Sequence, residues 1–350
     1  TNTQPPAPDH TPDYEDPRLR EALRNFIAAL GARYDGDPRI GYITAGLLGM
    51  NERNFFISRY NQRKLYPLVD DKLKTKLLAE QRGLAVPRLY GVVREQHEVE
   101  TMGEMLGKYD SFVIKPSRGS GGKGIKVIVG KRDDVFIKSS GEEVTHLDVT
   151  RHVSNILSGL YSLGGKPDVA MVEALVEMDP QFNGLSYEGI PDIRIIVFMG
   201  YPAMSMMRLA THASDGKANL HQGAVGVGLD LATGRSLFAV QYNRPLKLHP
   251  DTGLPLNTLT IPHWHELMCL GASCYEITGL GYLGADIVMD RNRGPLIMEL
   301  NARPGLAIQI ANNTGLSPRI RRIAREATTN PQRPVEERVQ FSMSAFGTEP

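Results

Sequence analysis

The chain has 350 residues and a mass of 38.6 kDa, with 41% hydrophobic and 23% charged residues. That is enough for one to three domains around a sizeable core, and it excludes collagen, coiled coil and wholesale disorder. Lys and Arg number 40 against 39 Asp and Glu, so a net charge of +1 announces no nucleic-acid or membrane surface.

Two cysteines, Cys269 and Cys274, can build neither a disulfide framework nor a four-cysteine zinc site. A reducing compartment suits such a chain, no apolar run approaches the roughly 20 residues of a membrane span, and a cytoplasmic location is expected.

Residues 1–16 are rich in Pro, Asp and Thr and are expected to be a disordered leader, not a secretory signal. From Pro17, Leu19, Leu23, Phe26, Ile27 and Leu30 recur at helical spacing, and Gly31 is placed to stop the helix. Residues 41–70 are broken by glycines, then rich in Arg, Asn and Tyr. Irregular structure is expected there, ending at Pro67, so 17–70 forms a helical and irregular N-terminal region. A helix over 71–82 takes Asp70 or Asp71 as its N-cap and ends at Gly83. Short apolar runs at 89–93, 112–114 and 125–129 follow, and the last two read as strand, glycine loop, strand.

Residues 146–161 have a helical pattern. Apolar runs at 171–176, 192–198 and 204–209 suit strands, 264–279 a helix stopped by Gly279, and 285–290 with 295–301 two strands joined by a turn. A basic helix follows Pro318, carrying Arg319, Arg321, Arg322 and Arg325, and the tail from Asn330 is expected to be loose. No internal repeat occurs. Antiparallel hairpins dominate over steady strand–helix alternation, so the fold class is α+β.

Three groups of residues carry chemistry. Gly119-Ser120-Gly121-Gly122-Lys-Gly124 matches G-x-G-x-x-G, but strand and not helix follows, so the dinucleotide fingerprint fails. Lys123 precedes Gly124 instead of Ser or Thr, so the P-loop pattern fails too. What remains is a glycine hairpin loop whose free N–H groups can fold over phosphates, with Lys115 at the end of the strand before it; a plain surface turn is the alternative.

The second group is Glu299 and Asn301, two apart on one strand, with Asp286 on the preceding strand. Two carboxylates and an amide oxygen make a hard donor set suited to Mg²⁺; a salt-bridged strand end is the alternative. The third comprises Arg194, Arg208 and the polar loop from Asn219 to Gly223. Arginines on such strands suit bidentate contacts with phosphate or carboxylate, or structural ion pairs.

Asp71-Lys-Leu-Lys-Thr-Lys-Leu-Leu, Phe112-Val-Ile-Lys-Pro with its glycine loop, Asp192-Ile-Arg, Asn219-Leu-His-Gln-Gly, Asp286 and Glu299-Leu-Asn-Ala-Arg-Pro-Gly occur in that order. In that order the sequence resembles the ATP-grasp ligases over about 46–320. Within them it resembles the ribosomal-protein glutamate ligases, and more closely the alpha-L-glutamate ligase-like proteins that carry Gly49-Met-Asn-Glu-Arg-Asn. The resemblance implies an ATP-grasp fold, two α+β subdomains clasping ATP, with a shortened or atypical N-terminal region. It implies a small subdomain over 71–172 with the glycine loop, a large one over 173–320 with the metal site, and the basic helix end and tail over 321–350.

It also implies roles. Lys72 and Lys115 would contact ATP phosphates, with Gly119, Ser120, Gly121, Gly122 and Gly124 closing over them. The backbone of Glu173, Ala174, Leu175 and Val176 would read adenine, and Glu177 would take the ribose hydroxyls. Arg208 would stabilise the transferring phosphate and the acyl-phosphate, and Arg194, counted with the catalytic residues, would face the acceptor side with His221. Asp286, Glu299 and Asn301 would hold Mg²⁺, two ions in all.

Asn219, His221 and Arg303 would face the substrate. Arg303 stands where many relatives have Ser, and Gln222 where they often have Arg, so acceptor identity transfers less well than ATP chemistry. The implied reaction joins an amino acid, plausibly glutamate, to a carboxylate or amine acceptor (a peptide, a protein or a small molecule) through an acyl-phosphate. The alternatives are a non-catalytic ATP-binding regulatory module and a kinase-like phosphotransferase on the same site. A homo-oligomer is compatible with the resemblance, and neither membrane nor nucleic acid is expected as a partner.

Overall fold

The computed structural model describes residues 46–119 and 121–348, with Pro17, Arg18, Glu21 and Ala22 in helical conformation. The expected leader, most of the helix expected from Pro17, and Ser120 lie outside the described residues. In chain order come α1 (Met50–Tyr60), the short α2 (Pro67–Asp70), α3 (Lys72–Gln81), β1 (Leu89–Val93), α4 (Glu98–Leu106), β2 (Phe112–Pro116) and β3 (Lys126–Ile128). A small meander of β4 (Gly130–Arg132), β5 (Val135–Ile137) and β6 (Glu143–Thr145) leads into α5 (His146–Leu157) and β7 (Ala170–Glu173). Then follow β8 (Asp192–Phe198), β9 (Tyr201–Leu209), β10 (Val225–Leu229), β11 (Ser236–Gln241), β12 (Arg244–Pro245), α6 (Trp264–Thr278), β13 (Tyr282–Asp290) and β14 (Gly294–Asn301). Three helices, α7 (Ile308–Ala311), α8 (Ser317–Thr329) and α9 (Val335–Phe346), complete the described chain.

These strands make two principal antiparallel sheets. The smaller runs β1-β7-β2-β3 and the larger β12-β11-β10-β9-β8-β13-β14. Each has its own apolar core. Phe112, Ile114 and Ile128 of the small sheet pack against Val149, Val153 and Ile156 of α5. The large sheet packs Ile195, Ile287 and Leu283 against Leu267 and Cys274 of α6. All nine residues of β13 are buried, as a strand inside a covered sheet requires. Both cysteines lie on α6 as free thiols; burial pushes the Cys269 thiol up to about 11, which leaves a packing residue and not a nucleophile.

Two expectations are corrected. Residues 50–60 are helical and not irregular. Gly49 is the last of the run of glycines, and the eleven residues after it contain no Gly or Pro; their apolar face is narrow, with only Phe56 and Ile57 buried, so periodicity hid it. The tail is not loose either. Residues 335–346 form α9, whose buried face carries Arg338 and Ser342 beside Val339 and Phe346, which blurs the apolar stripe.

The basic helix α8 explains how that tail is held. Arg319 donates to Phe346 O at 3.3 Å and Arg322 to Ala345 O at 3.2 Å, so guanidiniums cap the last carbonyls of α9. Arg322 also lies over the rings of Phe341 and Phe346. Helices α4 and α7, the β4–β6 meander and strands β10 to β12 were not foreseen.

The region before residue 70 is stitched to the end of the large sheet by two buried amides. Asn61 Nδ2 donates to Tyr282 O (2.7 Å) and Ala302 O (3.0 Å), and Asn61 Oδ1 accepts from the Tyr282 N–H (2.8 Å). Gln309 Oε1 accepts from the N–H groups of Leu48 (2.7 Å) and Leu316 (2.9 Å). Asn61→Ala strands three buried backbone groups at once, and a loss of about 3 kcal/mol is expected in denaturant unfolding.

Candidate active site between the two sheets

The first component is the cap of α3. Asp71 accepts the Lys74 N–H at 3.2 Å and the Ser117 hydroxyl, so the helix start is bolted to the residue after β2. That fixes Lys72, whose Nζ donates to Gly119 O at 2.7 Å and lies 3.3 Å from Glu299 Oε1. One side chain thus touches the root of the glycine loop on the small sheet and the end of β14 on the large one.

The glycine loop is a hairpin between β2 and β3, paired antiparallel as expected. Gly121, Gly122 and Gly124 have φ of +63°, +75° and +75°, conformations that side chains avoid. A Cβ on Gly124 would also meet the Tyr161 ring at 2.6 Å. Asp168 braces the near end of the loop, accepting the Arg118 N–H at 2.9 Å, and His152 Nε2 lies 3.0 Å from Gly124 O at the far end.

Lys115, next to last in β2, sets its ammonium against Glu173 Oε1, and Lys76 Nζ lies 2.9 Å from Glu173 Oε2. Glu173 is 1% exposed. Burial alone would raise its carboxyl, but Lys115 and Lys76 outweigh that and hold it below the ordinary carboxylate range. Burial lowers the Lys76 ammonium, and Glu173 opposes that only in part. Glu173 thus belongs to β7, where its register partners are Leu89 and Val113, and the Ala174 N–H donates to Arg88 O at 2.8 Å.

Leu175 and Val176 leave the ladder, and Val176 packs against Val288 and Leu296, with Met298 beside them, in a small apolar cluster between the sheets. Glu177 sits at the rim: its N–H donates to Asp290 Oδ2 at 2.9 Å, and its carboxylate lies 3.8 Å from Arg291 Nη1.

On the large sheet one row of side chains crosses four strands. Asp192 pairs in register with Arg208, Arg194 with Asp286, and Asp286 with Glu299. Cross-strand partners share a face, so these charges meet. Arg194 grips Asp286 with Nε to Oδ1 at 2.7 Å and Nη2 to Oδ2 at 2.6 Å. Arg208 grips Asp192 with Nε to Oδ1 at 2.5 Å and Nη2 to Oδ2 at 2.8 Å, and reaches Asp286 Oδ2 at 2.8 Å. Asn301 Nδ2 donates to Asp286 Oδ2 at 3.3 Å.

The two aspartates are driven apart. Burial would raise Asp286, but Arg194 and Arg208 bring it down to about 2. Burial pushes Asp192 up to about 6, with Arg208 opposing and the charge of Asp286 adding.

Asp286, Glu299 and Asn301 lie on neighbouring strands of this sheet, with both Asp286 oxygens held by Arg194 and Arg208 and the Asn301 amide nitrogen turned toward Asp286. Their oxygens suit a hard divalent cation whose remaining positions phosphate and water would fill, so the donor set fits Mg²⁺. Among the described residues no cluster of three His, Cys, Asp or Glu could hold a metal ion.

Three expected substrate residues stand apart from this row. Asn219 spends its side chain capping a short turn, accepting the His221 N–H at 3.0 Å, and His221 is exposed. Arg303 is exposed over the Tyr66 ring at 5.1 Å. Asp192 and Lys76 were missed as members of the site. Asp192, two residues before Arg194 on one strand face, could have been found from that spacing; nothing in the sequence pointed Lys76 at Glu173.

A family model described as sugar-transfer associated ATP-grasp matches residues 51–325. Among solved structures, the ATP-grasp ligase PsnB complexed with minimal precursor is similar at 13% identity and a TM-score of 0.40, covering 77% of this chain and 63% of that one. D-cycloserine synthetase DcsG is similar at 14% identity and a TM-score of 0.42, covering 88% and 80%. D-alanyl-alanine synthetase A from Vibrio cholerae is similar at 11% identity and a TM-score of 0.42, covering 81% and 66%. The chain thus spans less than two thirds of the PsnB chain in that complex and of the Vibrio chain. No curated protein matches it. No described helix is long and apolar enough to cross a membrane.

Proposed function

The chain belongs to the sugar-transfer associated ATP-grasp family and is an ATP-grasp enzyme with that fold, and we propose that it is an ATP- and Mg²⁺-dependent carboxylate–amine ligase. Its donor would be an amino acid, with glutamate the first candidate from the sequence resemblance, and its acceptor a peptide, protein or small molecule. The observation that carries this reading is Lys72, which bridges Gly119 O and Glu299 and so sets the phosphate-covering loop opposite the proposed metal carboxylates.

In this reading a carboxylate oxygen attacks the γ-phosphorus of ATP and ADP leaves. The acceptor amine then attacks the acyl carbon of the resulting acyl-phosphate, phosphate leaves, and the amine loses a proton. Phosphoryl transfer needs positioning and charge neutralisation more than a protein nucleophile. Lys72 and Lys115 would meet the phosphates, Arg208 the transferring group, and Arg194 would fix Asp286 and with it the reacting end. Mg²⁺, held by Asp286, Glu299 and Asn301, would supply charge neutralisation at the phosphates. The loop 119–124 would exclude water from the acyl-phosphate. Of the segment Glu173 to Val176 expected to read adenine, Glu173 and the Ala174 N–H are engaged in strand pairing, so the backbone of Leu175 and Val176 would read the base, and Glu177 would take the ribose hydroxyls; Asn219, His221 and Arg303 would meet the substrate.

The test is ADP release with ATP, Mg²⁺ and single amino acids plus acceptor pools, followed by mass spectrometry. A ligase gives a product heavier by one amino-acid residue. A phosphorylated product marks a phosphotransferase, and nucleotide binding without any product marks a regulatory module.

Arg303 is exposed two residues after Asn301, with its guanidinium on a ring and available to a substrate carboxylate. Arg303→Ser is expected to raise the acceptor or amino-acid KM by roughly tenfold while the ATP KM stays within twofold, as steady-state kinetics would show.

A further inference from the structure

Arg208 is held by two carboxylates that differ in what else they hold. Asp286 also takes both arms of Arg194 and the Asn301 amide, and it belongs to the proposed metal set. Asp192 binds Arg208 with both oxygens, at 2.5 and 2.8 Å, in the fork-to-fork arrangement that fixes the plane of a guanidinium. The two residues face each other directly in the β8–β9 register, on rigid strands. Both are largely shielded, with side chains 12% and 15% exposed, whereas Glu299 at 39% opens to the cleft.

We propose that Asp192 is the positioning residue of the site: it keeps the Arg208 guanidinium aimed at the terminal phosphate of the nucleotide when the oxygens of Asp286 are committed elsewhere. Asp192 touches no substrate itself. The proposal rests on the reading of Arg208 as the residue that meets the transferring phosphate.

The consequence is selective. A nucleotide with a third phosphate should notice the loss of Asp192, and one with two should not. Calorimetric titration of Mg²⁺ with AMPPNP and of Mg²⁺ with ADP separates these. In Asp192→Asn the AMPPNP affinity is expected to fall roughly tenfold with ADP affinity unchanged, Arg208→Ala should do the same, and the double variant should lose no more than Arg208→Ala. Asp192→Glu, which keeps the charge, should recover part of the loss, and it carries the comparison alone if Asp192→Asn does not fold.

A variant at Asp192 that binds both nucleotides as the parent does, or loses both equally, overturns the proposal while leaving the reading of Arg208 intact. If Arg208→Ala itself leaves AMPPNP affinity unchanged, that reading falls and takes the proposal with it.

Discussion

Glu299→Gln is expected to lower ATP turnover by roughly 10³-fold while leaving the fold in place. The change is isosteric and removes only a charge. Glu299 stands at the open end of β14, its side chain 39% exposed, and it forms an ion pair with Lys72 at 3.3 Å. A pair that open to solvent contributes about 0–1 kcal/mol, so the thermal midpoint should hardly move. The charge matters for what is bound: one of two carboxylates in an all-oxygen set is lost, and Lys72 is left without its counter-charge beside the glycine loop. ADP release and thermal unfolding, measured on one preparation, check both halves. Turnover within a few-fold of the parent would remove Glu299 from the reacting centre.

The largest stability effect is expected at Glu173. Its carboxylate is buried between the ammonium groups of Lys115 and Lys76. Glu173→Ala leaves two cations facing each other in the core of the small sheet, and a loss of about 3–5 kcal/mol is expected, with nucleotide binding lost as well. Lys115→Ala is the informative contrast. Glu173 then keeps Lys76 as a partner, so the fold should survive while turnover disappears. The same triad sets a pH dependence. The Glu173 carboxyl is held below its ordinary 4.5, so its contribution is full above that pH and is lost as the pH falls through the lower folded-state value. Thermal unfolding of the parent and of Glu173→Gln between pH 3 and pH 7 should converge toward the acid end.

Much of this arrangement was legible in the sequence because it is written in short-range spacing. Glu299 and Asn301 two apart on a strand, Asp286 on its hairpin partner, and a lysine at the end of a strand before a glycine run are local patterns, and the register reproduces them. Asp71 was recognisable as a helix cap for the same reason. What escaped notice depends on contacts between distant segments. Lys76 reads as one more polar residue of α3 until Glu173 is brought against it, and nothing near either residue announces the other.

The helix over 50–60 escaped because it buries only Phe56 and Ile57, and the one over 335–346 because Arg338 and Ser342 share its buried face with Val339 and Phe346. Arg338 fills a core position by pairing with Glu276 and lying over the rings of Tyr201 and Tyr275. The basic run of α8 was visible in the sequence, but not that Arg319 and Arg322 terminate α9. Charge type is visible in a sequence, but the partner that absorbs the charge is a property of the fold.

The central claim is that a nucleotide lies between the small sheet and the row Asp286, Glu299 and Asn301. The most direct measurement is a crystal structure of the full chain with AMPPNP and Mn²⁺ in place of Mg²⁺, read by anomalous scattering. The account predicts a manganese peak against Glu299, Asn301 and Asp286, with the triphosphate running from Lys115 past Lys72 to Arg208. A nucleotide bound outside that cleft, or a manganese peak away from those three side chains, would contradict it.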